Sequence, residues 1–124
     1  MLYHNIVIVD DNETTLFVNQ DVVEEVLPGA TLTSFSNSEK FLEFMLGNKD
    51  LLTSETLVLL DLNMPGMFGY EVLEAIEEET DELDRVHVII LTSSNLKRDL
   101  ERSARFHCIR GYMEKPISPE KLKE

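Results

Sequence analysis

Two kinds of hydrophobic pattern alternate along the chain. Ile6-Val7-Ile8-Val9 is short, β-branched and apolar at consecutive positions, as a strand covered on both faces should be. A helical stretch follows over 13–27, with Leu16, Gln20, Val23 and Leu27 along one stripe and Pro28-Gly29 to end it. Residues 30–35 read as a second strand, more polar and hence nearer an edge. Ser36 with Glu39 three residues on forms a capping box, opening a helix through Phe41, Leu42 and Met45 that stops at Gly47.

The alternation then repeats. Residues 56–60 form another strand of the buried type, ending at Asp61, and a loop with Met64-Pro65-Gly66 leads into a helix over 70–79. Residues 86–91 are the most apolar strand, followed by a charged helix over 96–106 and a short fifth strand over 109–113. Ser118-Pro119 suits the N-cap and first residue of a last helix, which reads as short. No linker, repeat or biased tract interrupts this order, so one domain over 1–124 is expected. Five strands alternating with helices imply an α/β fold, a parallel sheet with helices on both faces.

Such sheets bind ligands at the carboxyl ends of their strands. The polar residues there are Asp10 and Asp11 after the first strand, Asp61 after the third, Thr92, Ser93 and Ser94 after the fourth, and Glu114-Lys115-Pro116 at the fifth. Alone, Asp10-Asp11 reads as an N-cap; with Asp61 and Lys115 it reads as part of an acidic site. Three carboxylates at one rim repel one another, and a hard divalent cation such as Mg²⁺ relieves this through oxygen ligands. A cation, an ammonium, a hydroxyl and a free carboxylate meet the needs of phosphoryl transfer, in which an aspartate oxygen can be the nucleophile.

Composition narrows the partners. The 124 residues carry 24 acidic and 11 basic side chains, a formal net charge of −13. Such a chain repels phosphate backbones and anionic lipids, so neither direct nucleic-acid nor membrane binding is expected. The charge is uneven: residues 1–84 carry −17, while 85–124 carry +4. The single cysteine, Cys108, allows no internal disulfide and reads as a small buried apolar residue. No signal peptide and no run long enough to span a membrane is legible, so a cytoplasmic location is expected. The acidic run from Glu74 to Asp84 reads as a solvated face, and His4, His87 and His107 lack metal-ligand spacing.

These motifs resemble the receiver domains of two-component response regulators over essentially the whole chain. The matching elements are Asp10-Asp11, Asp61 within Asp61-Leu62-Asn63-Met64-Pro65-Gly66 with Gly69 and Glu71 after it, Thr92-Ser93, and Lys115-Pro116. The resemblance implies a flavodoxin-like doubly wound sheet of order 2-1-3-4-5. It implies that Asp61 accepts a phosphoryl group from a sensor histidine kinase or histidine phosphotransfer protein, and that the chain is a switch, not a turnover enzyme. Asp10, Asp11 and Asp61 would bind Mg²⁺, with Asn63 lending its backbone carbonyl. Thr92 and Lys115 would hold phosphoryl oxygens, and Tyr112 would be the switch aromatic. Asn63 and Ser94 hold positions said to tune dephosphorylation.

Two departures stand out: Phe68 precedes Gly69 where many members have Asp, and the final helix is short. A downstream protein target is expected on the face of the fourth helix and fifth strand, which carries Lys97, Arg98, Arg102, Arg105 and Arg110. The chain is expected to be a monomer or weak dimer. The alternative is a pseudo-receiver, an interaction module that is not phosphorylated.

Overall fold

The computed structural model describes residues 3–61, 69–92, 106–115 and 117–120. Five strands form one sheet: β1 (Asn5–Val9), β2 (Thr31–Phe35), β3 (Thr56–Asp61), β4 (His87–Thr92) and β5 (Ile109–Glu114). All neighbours pair in parallel, in the order β2-β1-β3-β4-β5, the doubly wound arrangement. The central strand β3 is buried at every position, whereas β2 and β5 at the edges are mostly half-buried, as their more polar sequences require.

Alternation along each strand divides the core between two faces. Val7, Val9, Val58, Leu60, Val88 and Ile90 join Phe41, Met45, Tyr70, Val72, Leu73 and Ile76 from helices α2 (Ser38–Gly47) and α3 (Gly69–Glu79). Ile6, Ile8, Leu57, Leu59 and Leu91 join Leu16 and Val23 of α1 (Glu13–Val26) on the other face, together with Ile117. Ile89 lies partly buried against this second cluster. Each such aliphatic side chain, fully buried, contributes about 1.5–3 kcal/mol.

Three local readings need correction. The N-cap of α2 is Asn37, not Ser36: its side chain accepts from the backbone N–H groups of Glu39 and Lys40 at 2.8 and 3.1 Å. Extended backbone at Asn37 aims its carboxamide at the first turn, which a residue one step earlier does not reach. The buried stripe of α1 is Leu16, Asn19 and Val23, while Gln20 and Leu27 are half-buried and Phe17 stands 66% exposed. The strands also run one residue further at β4 and β5, to Thr92 and Glu114, because the ladder between them continues to that pair. The fourth helix and the continuation of the last helix fall outside the described residues. Pro119 and Glu120 are helical, in keeping with a helix start there.

The ladder between β4 and β5 is irregular. Val88 pairs with Ile109, but the next residue, Ile89, pairs with Gly111, so Arg110 is the extra residue of a β-bulge. Ile109 and Tyr112 both pack against the α2/α3 side, and Met113 packs against the α1 side.

Candidate functional site

The site grows from three strand ends. Asp10 follows β1, and its backbone N–H donates to the Phe35 carbonyl at 3.0 Å, which fixes where the carboxylate emerges. Asp10 Oδ1 accepts the Asn12 N–H at 2.9 Å, closing a tight turn between strand and helix. Asn12 in turn caps α1, its side chain accepting from Thr15 N–H at 3.0 Å. The cap is therefore Asn12 and not the acidic pair, which leaves both carboxylates to the rim. Sequence reading passed over Asn12, although an Asn directly before a helical run is a capping signal.

Asp61 closes β3 and is buried, as is Asp10, whereas Asp11 is exposed. A carboxylate oxygen from each of Asp10, Asp11 and Asp61 lies within 4.8 Å of the others. Lys115, one residue past β5, reaches over the rim and sets Nζ 3.0 Å from Asp61 Oδ2 and 3.0 Å from Asp10 Oδ2. Burial disfavours the Lys115 ammonium, but its bonds and charge attraction to Asp61 and Asp10 outweigh this and hold its pKa above the ordinary lysine value. Lys115 is thus a fixed positive charge at neutral pH. Its side chain is 19% exposed, so the group opens to solvent where a ligand would arrive.

Three carboxylates face one ammonium, an excess of negative charge that a divalent cation with oxygen ligands matches. The donors are all hard oxygens, with no thiol or imidazole among them. By charge and chemistry the cluster fits Mg²⁺.

Of the other residues singled out by sequence, Thr92 ends β4 with its backbone paired to Glu114, and its side chain lies outside the described portion. Tyr112 sits in β5 opposite Ile90, half-buried against the α2/α3 side. Asn63, Phe68, Ser93 and Ser94 lie outside the described residues, as do Lys97, Arg98, Arg102 and Arg105. Arg110 is exposed on β5. Cys108 is buried, and burial, with the Asp84 carboxylate adding to it, pushes its thiol up to about 12. The acidic residues over 77–84 are exposed and Glu74 is half-buried, in line with a solvated face. Among the described residues no helix is long and apolar enough to cross a membrane.

Comparison with known proteins agrees with this geometry. The pattern of the family described as "Response regulator receiver domain" matches residues 6–124. A two-component response regulator of Arabidopsis thaliana, ARR17, is 30% identical over 96% of this chain and 82% of its own length. A probable transcriptional regulator of Porphyra purpurea, ycf29, is 35% identical over 64% of this chain; there the match spans only 35% of the relative. The crystal structure of a two-component response regulator from Cytophaga hutchinsonii superposes with a TM-score of 0.86 at 18% identity, covering 99% of this chain and 93% of the other, a likeness of fold. The chain belongs to the response regulator receiver domain family of two-component signalling.

Proposed function

We propose that residues 1–124 act as one phosphorylation-controlled signalling switch in the cytoplasm, with Asp61 accepting a phosphoryl group from a histidine kinase or histidine phosphotransfer protein. The observation that carries this reading is Lys115 Nζ at 3.0 Å from both Asp61 and Asp10, with Asp11 completing the acidic cluster. In the transfer, a carboxylate oxygen of Asp61 forms a bond to phosphorus as the bond from phosphorus to the donor's histidine nitrogen breaks. Lys115 pairs with a phosphoryl oxygen, and its charge is available because the surrounding carboxylates keep it protonated. Asp10, Asp11 and Asp61 would hold Mg²⁺ with the backbone carbonyl of Asn63, and the ion when bound supplies charge neutralisation for the incoming group.

Thr92 hydrogen-bonds a phosphoryl oxygen in this reading, and Tyr112 turns inward as Thr92 moves. The change is read on the fourth-helix and fifth-strand face by an acidic protein partner, since the basic residues of the chain concentrate there. The switch works as a monomer or weak dimer.

Intact-mass measurement after treatment with acetyl phosphate and Mg²⁺ tests the proposal. The chain should gain the mass of one phosphoryl group, and Asp61→Asn should gain none. A wild-type chain that stays unmodified, as a pseudo-receiver would, or an Asp61→Asn chain that is still modified, overturns it.

A further inference from the structure

At the end of the sheet opposite the acidic rim, a contact joins two residues 84 positions apart. Tyr3 precedes β1, and its hydroxyl stands 2.8 Å from Nδ1 of His87, the first residue of β4. The rings meet edge to face, with centroids 5.6 Å apart and planes at 80°. Because β3 lies between β1 and β4, the contact reaches over a whole strand, above Leu57, the register partner of His87.

The bulge in β5 brings a charge to this spot. Arg110, the extra residue, sends Nη2 to within 3.4 Å of the Asp84 carbonyl, and its positive charge acts on both Tyr3 and His87. Burial lowers the pKa of His87, and Arg110 lowers it further. Burial raises Tyr3, outweighing the opposite pull of Arg110, so the phenol stays a donor. The carboxylates at this end stand against exposed imidazoles: Glu55 is 3.2 Å from His4, and Asp84 is 3.8 Å from His107.

We propose that Tyr3 and His87 form a proton-controlled clasp that fastens the foot of β1 to the foot of β4 and loosens when the imidazole is protonated. A neutral Nδ1 accepts the Tyr3 hydroxyl. A protonated Nδ1 carries a hydrogen of its own, so it can only donate to the phenol oxygen, a reversed bond formed with a second positive charge beside Arg110. The ordinary histidine pKa is about 6.5. With the folded value below that, the clasp is closed at neutral pH and weakens as pH falls through the folded value.

An NMR titration of the His87 imidazole reads this directly. His87 should titrate below the ordinary histidine value, and Tyr3→Phe, which keeps the ring and removes the donor, should move it up toward that value. At pH 7.5 the amides of His4, Asn5 and Thr31, all bonded at this foot, should exchange roughly three- to tenfold faster in Tyr3→Phe, about what one net hydrogen bond supplies. The difference should shrink as pH falls through the His87 midpoint that the titration gives. A His87 that titrates at the ordinary value, or that Tyr3→Phe leaves unmoved, overturns the clasp, as does an exchange difference that is the same on both sides of the His87 midpoint.

Discussion

Asp61 and Lys115 touch across a strand that belongs to neither of them. Asp61 ends β3 and Lys115 follows β5, yet Nζ and Oδ2 are 3.0 Å apart with β4 running between. The long lysine side chain closes the rim that the strand order leaves open, and it does so against carboxylates almost wholly removed from solvent.

Replacing Lys115 with Met should therefore cost stability when no divalent cation is present. A wholly buried pair loses about 3–5 kcal/mol when one partner goes; with Lys115 partly exposed, about 1–3 kcal/mol is expected. Urea unfolding with and without excess Mg²⁺ measures it, and the deficit should shrink when the ion is supplied. The pH dependence has a definite sign. The folded pKa of Lys115 is raised, so its contribution is complete below the ordinary value of 10.5 and fades as pH rises through the folded value. A deficit that Mg²⁺ leaves unchanged would show that repulsion between the carboxylates is not its source.

Asp11 is the exposed member of the cluster, and Asp11→Asn removes charge while keeping shape. Two opposite outcomes should appear together. The metal-free protein should melt at the same or a higher temperature, while Mg²⁺ affinity falls about tenfold or more and phosphorylation slows with it. Calorimetric titration with Mg²⁺ gives the affinity, and an unchanged titration would remove Asp11 from the ligand set.

Asn19 is buried on the inner side of α1, and among the described residues neither its carboxamide oxygen nor its nitrogen has a hydrogen-bond partner. Asn19→Leu relieves two unmet polar groups and adds a better helix former with the same branching at Cγ. Stability should rise by about 1–3 kcal/mol, read as a higher urea midpoint at unchanged slope. A fall in the midpoint would mean that a bound water or a partner satisfies the carboxamide in solution.

The start of α2 offers two adjacent substitutions with different expected results. Asn37→Ala should cost about 1 kcal/mol, because two backbone N–H groups lose their acceptor. Ser36→Ala should cost almost nothing. Equal losses at both positions would restore the capping box as the operative motif.

What the sequence made legible divides along physical lines. Runs such as Ile6 to Val9 and Thr56 to Leu60 declare themselves because burial on both faces leaves no room for polar residues, and strand ends follow from where the apolar run stops. Asp10, Asp61 and Lys115 stand at such ends, and the fold brings them within contact. Capping was harder, since Ser36 and Asn37 are both capping types and only backbone angles choose between them. Asn19 could not be read as buried, because a polar residue on a helix carries no mark of the face it occupies. The contact of Tyr3 with His87 depends on strand order, which no local pattern encodes.

The extra residue in β5 has a consequence for handedness of placement. Side chains on a regular strand change sides at every step, so residues three apart point in opposite directions. Ile109 and Tyr112 nevertheless share the α2/α3 side, since the inserted Arg110 resets the parity between them. Deleting that single residue would make the ladder regular and keep Tyr112 opposite Ile90, whereas pairing Arg110 into the ladder would send Tyr112 to the α1 side and Met113 to the other. The position of the proposed switch aromatic is thus set by the bulge: leaving Arg110 out of the ladder, far from the rim, decides which helices Tyr112 can address.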